Sequence, residues 1–106
     1  MRVMLHEIAH CRAGDKGDIS ILSLFPYDDR IFPQLEREVT AARVRAHLAG
    51  QVCGEVVRFV LPRLCALQFR CRQALDGGVT TSLALDTHGK GFSFRLLSLF
   101  VEIEEP

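Results

Sequence analysis

The sequence predicts a single α+β domain built around an antiparallel sheet. The chain has 106 residues, which is the commonest domain size and leaves room for one hydrophobic core. Hydrophobic residues make up 48% and charged residues 25% of it, a balance typical of a folded globular protein. Short β-rich segments alternate along the chain with segments of helical spacing, which indicates that strands and helices share that core.

The first quarter of the chain predicts two strands around a polar segment. Residues 5–11 alternate weakly between two faces and are expected to form a short strand. The polar segment follows as residues 12–18, Arg12-Ala13-Gly14-Asp15-Lys16-Gly17-Asp18. Residues 19–25 are apolar and rich in β-branched side chains up to Pro26, a pattern typical of a central strand buried on both faces. The polar segment is therefore expected to be a loop between two strands.

A helical region is predicted between residues 28 and 50. Asp28 and Asp29 are suitable N-caps, and Pro33 is tolerated in a first helical turn. Thr40 can cap a second time before an apolar stripe of helical spacing, and Gly50 is a suitable C-terminal stop. The region is therefore expected to be one kinked helix or two helices.

Two further strands are predicted in the second half of the chain. Residues 55–61 are β-rich and end at Pro62, and residues 65–71 alternate between apolar and polar side chains, so we expect an antiparallel pair. Residues 64–75 also recur at helical spacing, and a helix ending at Gly77-Gly78 is the alternative to the second strand. We favour the strand.

The order of elements predicts the architecture. Residues 78–89 are expected to form a second helix, and the second half of residues 92–103 a last strand. Counted from residue 19, the order is the ferredoxin-like βαββαβ arrangement with helices on one face of the sheet, and residues 5–11 add an N-terminal strand. The other sheet face must meet water or a partner, and the apolar content favours a partner. We expect a homo-oligomer.

Charge, cysteine content and the length of apolar stretches indicate which partners and which location to expect. Lys plus Arg and Asp plus Glu each number 13 and are scattered, which argues against a nucleic-acid partner. The four cysteines form no CxxC pair and follow no secretory leader, so we expect a reducing, cytoplasmic location. The apolar stretches are too short to cross a bilayer, so no membrane partner is expected.

The polar segment is the strongest candidate site. Gly14 and Gly17 permit a backbone that presents successive N–H groups, Lys16 adds a cation, and Asp15 and Asp18 can accept protons or hydrogen bonds. An anionic ligand such as a phosphate or a carboxylate would suit this combination, although the segment is too short for a GxxxxGK[ST] phosphate loop. The alternative is a tight connection in which Asp15 bonds its own backbone and Lys16 points to solvent.

The histidines are weaker candidates. His6 and His10 would share a strand face about 13 Å apart by the strand rise, which is too far to hold one metal ion. His10 could act with Asp15 or Arg12, although a structural histidine is the better interpretation. We expect no metal and no cofactor.

The remaining candidate site residues are the four cysteines and the glycine pair Gly77-Gly78. Cys11, Cys53, Cys65 and Cys71 lack an obvious neighbouring base and are interpreted as small core or strand residues. Gly77 and Gly78 could present helix N-terminal N–H groups to an anion, although an ordinary turn is favoured.

Residues 9–18, Ala-His-Cys-Arg-Ala-Gly-Asp-Lys-Gly-Asp, resemble the signature that opens the small ferredoxin-fold domain of AtuA-type acyclic terpene utilisation proteins. Further similar segments follow in register at residues 40–44, 61–64, 66–69, 74–79, 82–83, 86 and 89–90. The chain departs from the family pattern at Ala13, Gln68 and Asp76, where Ser, Asn and Gly are usual. The resemblance implies a role in bacterial breakdown of terpenes and branched acyl-CoA compounds, as the stand-alone form of a domain otherwise joined to a larger chain.

Three functions follow from the residues and the resemblance together. The first is an accessory binding domain that uses residues 14–18 for an anionic acyl-CoA-like ligand or for a large AtuA-like subunit. The second is a small lyase or hydratase acting on an acyl-CoA, with Asp15 or His10 as acid-base and Lys16 or Arg12 stabilising an enolate. The third is a purely structural oligomerisation domain.

Overall fold

The computed structural model describes residues 1–17, 19–49, 54–72 and 90–104. These residues form two antiparallel ladders, a four-stranded sheet of order β2-β3-β5-β4 and a two-stranded ladder of β1 with β6. The strands are β1 Arg2–Met4, β2 Ala9–Lys16, β3 Ile19–Pro26, β4 Val56–Leu61, β5 Ala66–Arg72 and β6 Phe100–Glu102. The α-helices are α1 Phe32–Glu38, α2 Ala41–His47 and α3 Lys90–Leu97, and short 3-10 turns occupy Leu5–Glu7, Asp29–Ile31 and Pro62–Leu64.

The middle of the fold agrees with the predicted order of elements. Helices α1 and α2 connect β3 to β4, while β5 lies between these two strands and is antiparallel to both. This is the split βαβ arrangement expected from the sequence. Residues 66–72 form a strand, so the helical alternative for this segment was wrong.

The outer strands differ from the predicted arrangement. In a βαββαβ sheet the last strand would lie beside β3, but here β2 holds that edge position and β6 pairs with β1 instead. The physical reason is that β2 reaches β3 through a two-residue turn, and such a hairpin costs little loop entropy. The four-stranded antiparallel sheet is therefore confirmed, whereas the identity of its edge strand was predicted wrongly.

The N-terminal strand begins later than predicted. Residues 5–7 form a 3-10 turn instead of a strand, because the Leu5 amide donates to the Leu99 carbonyl (2.9 Å) and the Glu7 carboxylate accepts from the Met4 amide (2.9 Å). Leu5 itself is fully buried, so the turn is fixed to the core. Strand β2 then starts at Ala9.

The helical region is divided, as the capping signals predicted. Helix α1 ends where Val39 leaves the helical conformation at φ −99° and ψ 78°. Thr40 then caps α2, since its hydroxyl accepts from the Arg43 amide (3.2 Å). Arg58 of β4 donates to the Val39 carbonyl (2.9 Å) and Arg43 to the Glu38 carbonyl (2.9 Å), so the free carbonyls at the end of α1 are satisfied by arginines.

The core lies between the helices and one face of the sheet. Strand β3 is buried at alternate positions and half-buried at the others. The prediction that this strand is buried on both faces was therefore wrong. The residues that fill the core from both layers are Leu22, Leu24, Leu67, Phe69, Leu35, Val44, Leu48 and Leu96. The second half of the 92–103 run is strand β6, as predicted, but its first half belongs to α3. The helix predicted over residues 78–89 falls outside the described residues.

Candidate functional site

The polar segment is mostly strand. Strand β2 pairs with β3 along its whole length, from Ala9 opposite Pro26 to Lys16 opposite Ile19. The predicted loop over residues 12–16 was therefore wrong, and the connection between the strands is only residues 17 and 18. Gly17 has φ +63°, which is the left-handed conformation that the first position of a two-residue hairpin turn requires. The alternative of a tight strand connection describes the backbone better.

Pairing in β2 separates the candidate residues onto two sheet faces. Because successive strand residues point to opposite faces, Arg12 and Gly14 share one face, and Ala13 packs against the core on the other. The backbone of Asp15 lies opposite Ser20. Consecutive N–H groups of this segment therefore do not converge on one anion, as they would in a loop.

The face away from the core is called the open sheet face here. It consists of the outward positions of the four strands: His10, Arg12 and Gly14 of β2, Ile19, Ile21, Ser23 and Phe25 of β3, Ala66, Gln68, Arg70 and Arg72 of β5, and Val57, Phe59 and Leu61 of β4. No described helix packs on it. The alternation over residues 65–71 indicated the half-exposed strand β5, but no sequence pattern indicated that β5 and β4 share a face with the polar segment of β2.

Gly14 leaves a bare position on the open sheet face. A Cβ atom added to Gly14 would have no heavy atom within 4 Å, and its φ is not in the left-handed range. Neither backbone conformation nor packing within the described fold therefore requires glycine here. A glycine inside a strand often marks a place where another backbone or a ligand approaches closely.

Arg12 and His10 flank this position along β2. Arg12 is exposed, and within the described ranges it makes no ion pair. The His10 ring stacks on Phe25 (centroids 5.2 Å apart) and on Tyr27 (5.5 Å). His10 thus belongs to an aromatic stack at the far end of the hairpin from Gly17, which agrees with a structural role.

The β4–β5 side of the open sheet face combines exposed apolar side chains with arginines. Val57 is 36% exposed and Phe59 is 40% exposed. The Arg70 guanidinium lies over the Phe59 ring, 4.9 Å from its centroid. Arg72 forms an exposed ion pair with Glu55 (3.3 Å). Among the described residues this pair contains the face's one carboxylate, so cations predominate.

Burial favours the neutral thiol form of Cys11 and Cys71. Burial raises the pKa of Cys11 to about 12, with a smaller contribution from Cys71. Burial also raises the pKa of Cys71 to about 11. Nucleophilic cysteines have lowered pKa values, so these two residues are core residues, as predicted. Cys53 lies outside the described residues.

Ser20 is a buried polar residue that the sequence did not single out. It is fully buried on the core side of β3, between the register positions of Asp15 on β2 and Cys71 on β5. Its hydroxyl has no hydrogen-bond partner among the described residues. A serine within an apolar β-branched run gives no sequence signal of this kind.

Two open cavities are lined by described residues, and both lie away from the hairpin turn. One, of about 220 Å³, is bordered by Met1, Ile8, Tyr27, Ile31 and Ile103, together with Glu7 and Asp28. The other, of about 170 Å³, is lined by Arg2, Glu38, Arg43, Phe100, Val101 and Glu102. Within the described part of the chain no three potential metal ligands cluster, and no helix has the length and hydropathy to span a membrane.

The comparison with protein families identifies a match over most of the sequence. Residues 3–102 match the family described as the AtuA ferredoxin-like domain, which is nearly the whole chain. The chain belongs to this family. The comparisons with curated proteins and with solved structures gave no match.

Membership of the AtuA ferredoxin-like domain family links the chain to acyclic terpene utilisation. The structure brings Arg12 and Gly14 together on one sheet face with Arg70 and Phe59. Asp15 and Lys16 are placed by their backbone only, as neighbours at the end of β2. Asp18, Gly77 and Gly78 lie outside the described residues, so their predicted roles stay predictions.

Proposed function

We propose that the chain is an accessory binding domain of an acyclic terpene or branched acyl-CoA catabolic system. In this proposal the β2–β3 hairpin, from residue 14 to residue 18, holds an anionic ligand or a large AtuA-like partner subunit. Family membership supports the pathway. The form of the site supports binding, because Arg12 and Gly14 lie along a strand on an open surface.

The observation that carries the proposal is the exposed pair of Arg12 and Gly14 on one sheet face. Arg12 has no counter-ion among the described residues, and Gly14 leaves the backbone beside it accessible. A flat cationic surface suits a macromolecular partner better than a small substrate, which binds in a concave pocket. The thiols of Cys11 and Cys71, with raised pKa values, add no nucleophile to it.

The test is isothermal titration calorimetry on the full chain, with two probes. One probe is the large AtuA-family protein of the same host, and the other is isovaleryl-CoA. We expect binding of at least one probe, and a loss of at least tenfold in affinity when Asp15→Ala and Lys16→Ala are combined. Binding that the double variant leaves unchanged, or no binding of either probe, would refute the proposal.

A matched control is available on α1. Glu36 and Arg37 are also a neighbouring acid and base, and both are exposed on the helix side of the molecule. Glu36→Ala combined with Arg37→Ala removes the same two charges and is expected to leave affinity within twofold of the unchanged chain. Circular dichroism on all variants verifies that folding is intact.

A further inference from the structure

The outward positions of β3 are unusually apolar for a strand with one solvated face. Antiparallel strands of this type commonly place polar residues outward. The outward residues of β3 are instead Ile19, Ile21, Ser23 and Phe25, and all four are only half-buried. Val57 and Phe59 of β4 are also apolar and outward, and the outward row of β5, which includes Arg70, lies between these two strands. Surfaces of this kind mark interaction sites.

The open sheet face carries more arginines than carboxylates among the described residues. Elsewhere some arginines are ion-paired, such as Arg30 with Asp28 (2.8 Å), and others, such as Arg63 and Arg95, form no ion pair with a described residue. On the open sheet face, Arg12 and Arg70 have no ion pair within the described residues. Two positive charges therefore lie beside the apolar side chains with no carboxylate partner among the described residues, and an interface there would be selective for carboxylates.

We propose that the open sheet face docks on another protein whose surface presents an apolar patch bordered by carboxylates. This inference rests on the function proposed above and specifies the surface that the binding domain uses. Arg12 and Arg70 pair with the partner's carboxylates, Phe59 enters its apolar patch, and the bare backbone at Gly14 permits close approach.

Charge decides between this partner and a second copy of the chain. A two-fold interface would bring Arg12 and Arg70 of both copies onto the same surface. Glu55, already paired with Arg72, is the one carboxylate that the described part of each copy offers there. Like charges across an interface are costly, so the complementary partner is a different, acidic surface.

The size of the face sets the expected strength of the complex. Four strands about 4.8 Å apart and about 20 Å long give a projected area of roughly 400 Å². A face of this size would bury about 800 Å² over both partners, which is less than a standard stable interface, so the complex is a weak one in which single charged and aromatic residues have large effects. Loss of one such residue should therefore be measurable.

The experiment uses the full chain and the large AtuA-family protein of the same host as probe. Affinity is measured by calorimetry for Arg70→Glu and for Phe59→Ser. Two matched controls lie on α3: Arg95→Glu makes the same charge reversal, and Phe94→Ser removes a phenyl ring that is 76% exposed. We expect at least a tenfold loss for each open-face variant and a change within twofold for each control.

The outcomes separate this inference from the function it rests on. If Arg70→Glu and Phe59→Ser bind normally while Asp15→Ala plus Lys16→Ala does not, the binding function stands and the open sheet face is the wrong surface. If the unchanged chain does not bind the large AtuA-family protein, this inference fails, and the proposed function stands only if isovaleryl-CoA binds. Sedimentation equilibrium supplies the last outcome, because a dimer that Phe59→Ser converts to monomer would assign the face to a second copy and overturn the inference.

Discussion

Gly14 and Arg70 lie in one row across the sheet, because both are register partners of Ile21, one on each side of it. Gly14 provides a position without a side chain, and Arg70 provides a cation over the ring of Phe59. Two segments far apart in sequence therefore contribute complementary features to the same surface. Each can be changed without touching the core.

Gly14→Val should raise the stability of the protein and lower its affinity for a partner. The fold leaves open space for the new side chain, and valine favours strands over glycine, so unfolding should cost about 0.5 to 1 kcal/mol more than in the unchanged chain. The same side chain would obstruct close approach of a partner and lower affinity at least tenfold. Urea denaturation and calorimetry check the two effects. Lower stability would show that the glycine serves the fold instead.

Gly17→Ala should lower stability. Gly17 has φ +63°, and a side chain in this conformation costs roughly 1 to 2 kcal/mol. Gly17→Asn should cost less, because asparagine tolerates the left-handed region. Urea denaturation gives the difference, with Gly14→Ala as the control glycine of ordinary conformation. Equal stability of Gly17→Ala and the unchanged chain would contradict the assigned turn.

Ser20→Ala should stabilise the protein or leave its stability unchanged. A buried hydroxyl without a partner costs roughly 1 to 3 kcal/mol in lost hydration, and alanine removes that cost along with one small atom. Ser23→Ala on the half-buried side of the same strand is the control. A marked loss of stability in Ser20→Ala alone would show that the hydroxyl has a hydrogen-bond partner in solution.

Cys11 and Cys71 should make stability fall in alkaline solution. Their folded-state pKa values are raised to about 12 and about 11, above the ordinary value of 9.0 that the unfolded chain retains. Between pH 9 and these values the unfolded state loses the thiol protons and the folded state keeps them, so the free energy of unfolding decreases as pH rises. Their contribution is fully present below pH 9.

Denaturation curves between pH 8 and 11 measure this effect, and replacing both residues by alanine should flatten the pH dependence. Peptide-resolved alkylation with iodoacetamide is an independent check. At pH 8 both thiols should react far more slowly in the folded protein than in urea, because alkylation needs the thiolate. Fast labelling of Cys11 in the folded state would contradict the assigned burial.

The sequence predicted the elements whose patterns are local. The strand-helix-strand-strand order from β3 to β5 follows from alternation, helical spacing and the Thr40 cap, all of which act over a few residues. Strand β2 was missed over residues 12–16 because Gly14, Asp15 and Lys16 are residue types that turns share. The pairing of β1 with β6 joins the two ends of the chain, and no local pattern reports such a contact.

The sequence indicated only some of the residues of the candidate site. The polar segment gave Arg12 and Gly14, since glycines and charges between apolar runs are visible in the sequence. Arg70 and Phe59 were not found, because their proximity to Gly14 depends on which strands become neighbours. Residues 19–25 were predicted to be buried on both faces, but an apolar run cannot distinguish packing beneath a helix from a surface reserved for another molecule.

The pairing of β1 with β6 has a mechanical consequence. Arg2 lies opposite Glu102, the amino terminus is 3.6 Å from the Glu102 carboxylate, and the Ile103 amide donates to the Met1 carbonyl (2.8 Å). Tension applied to both ends of the chain would act first on the terminal pair of this ladder and would break its residue pairs one after another. The terminal strands would therefore peel away at low force before the four-stranded sheet carried any load.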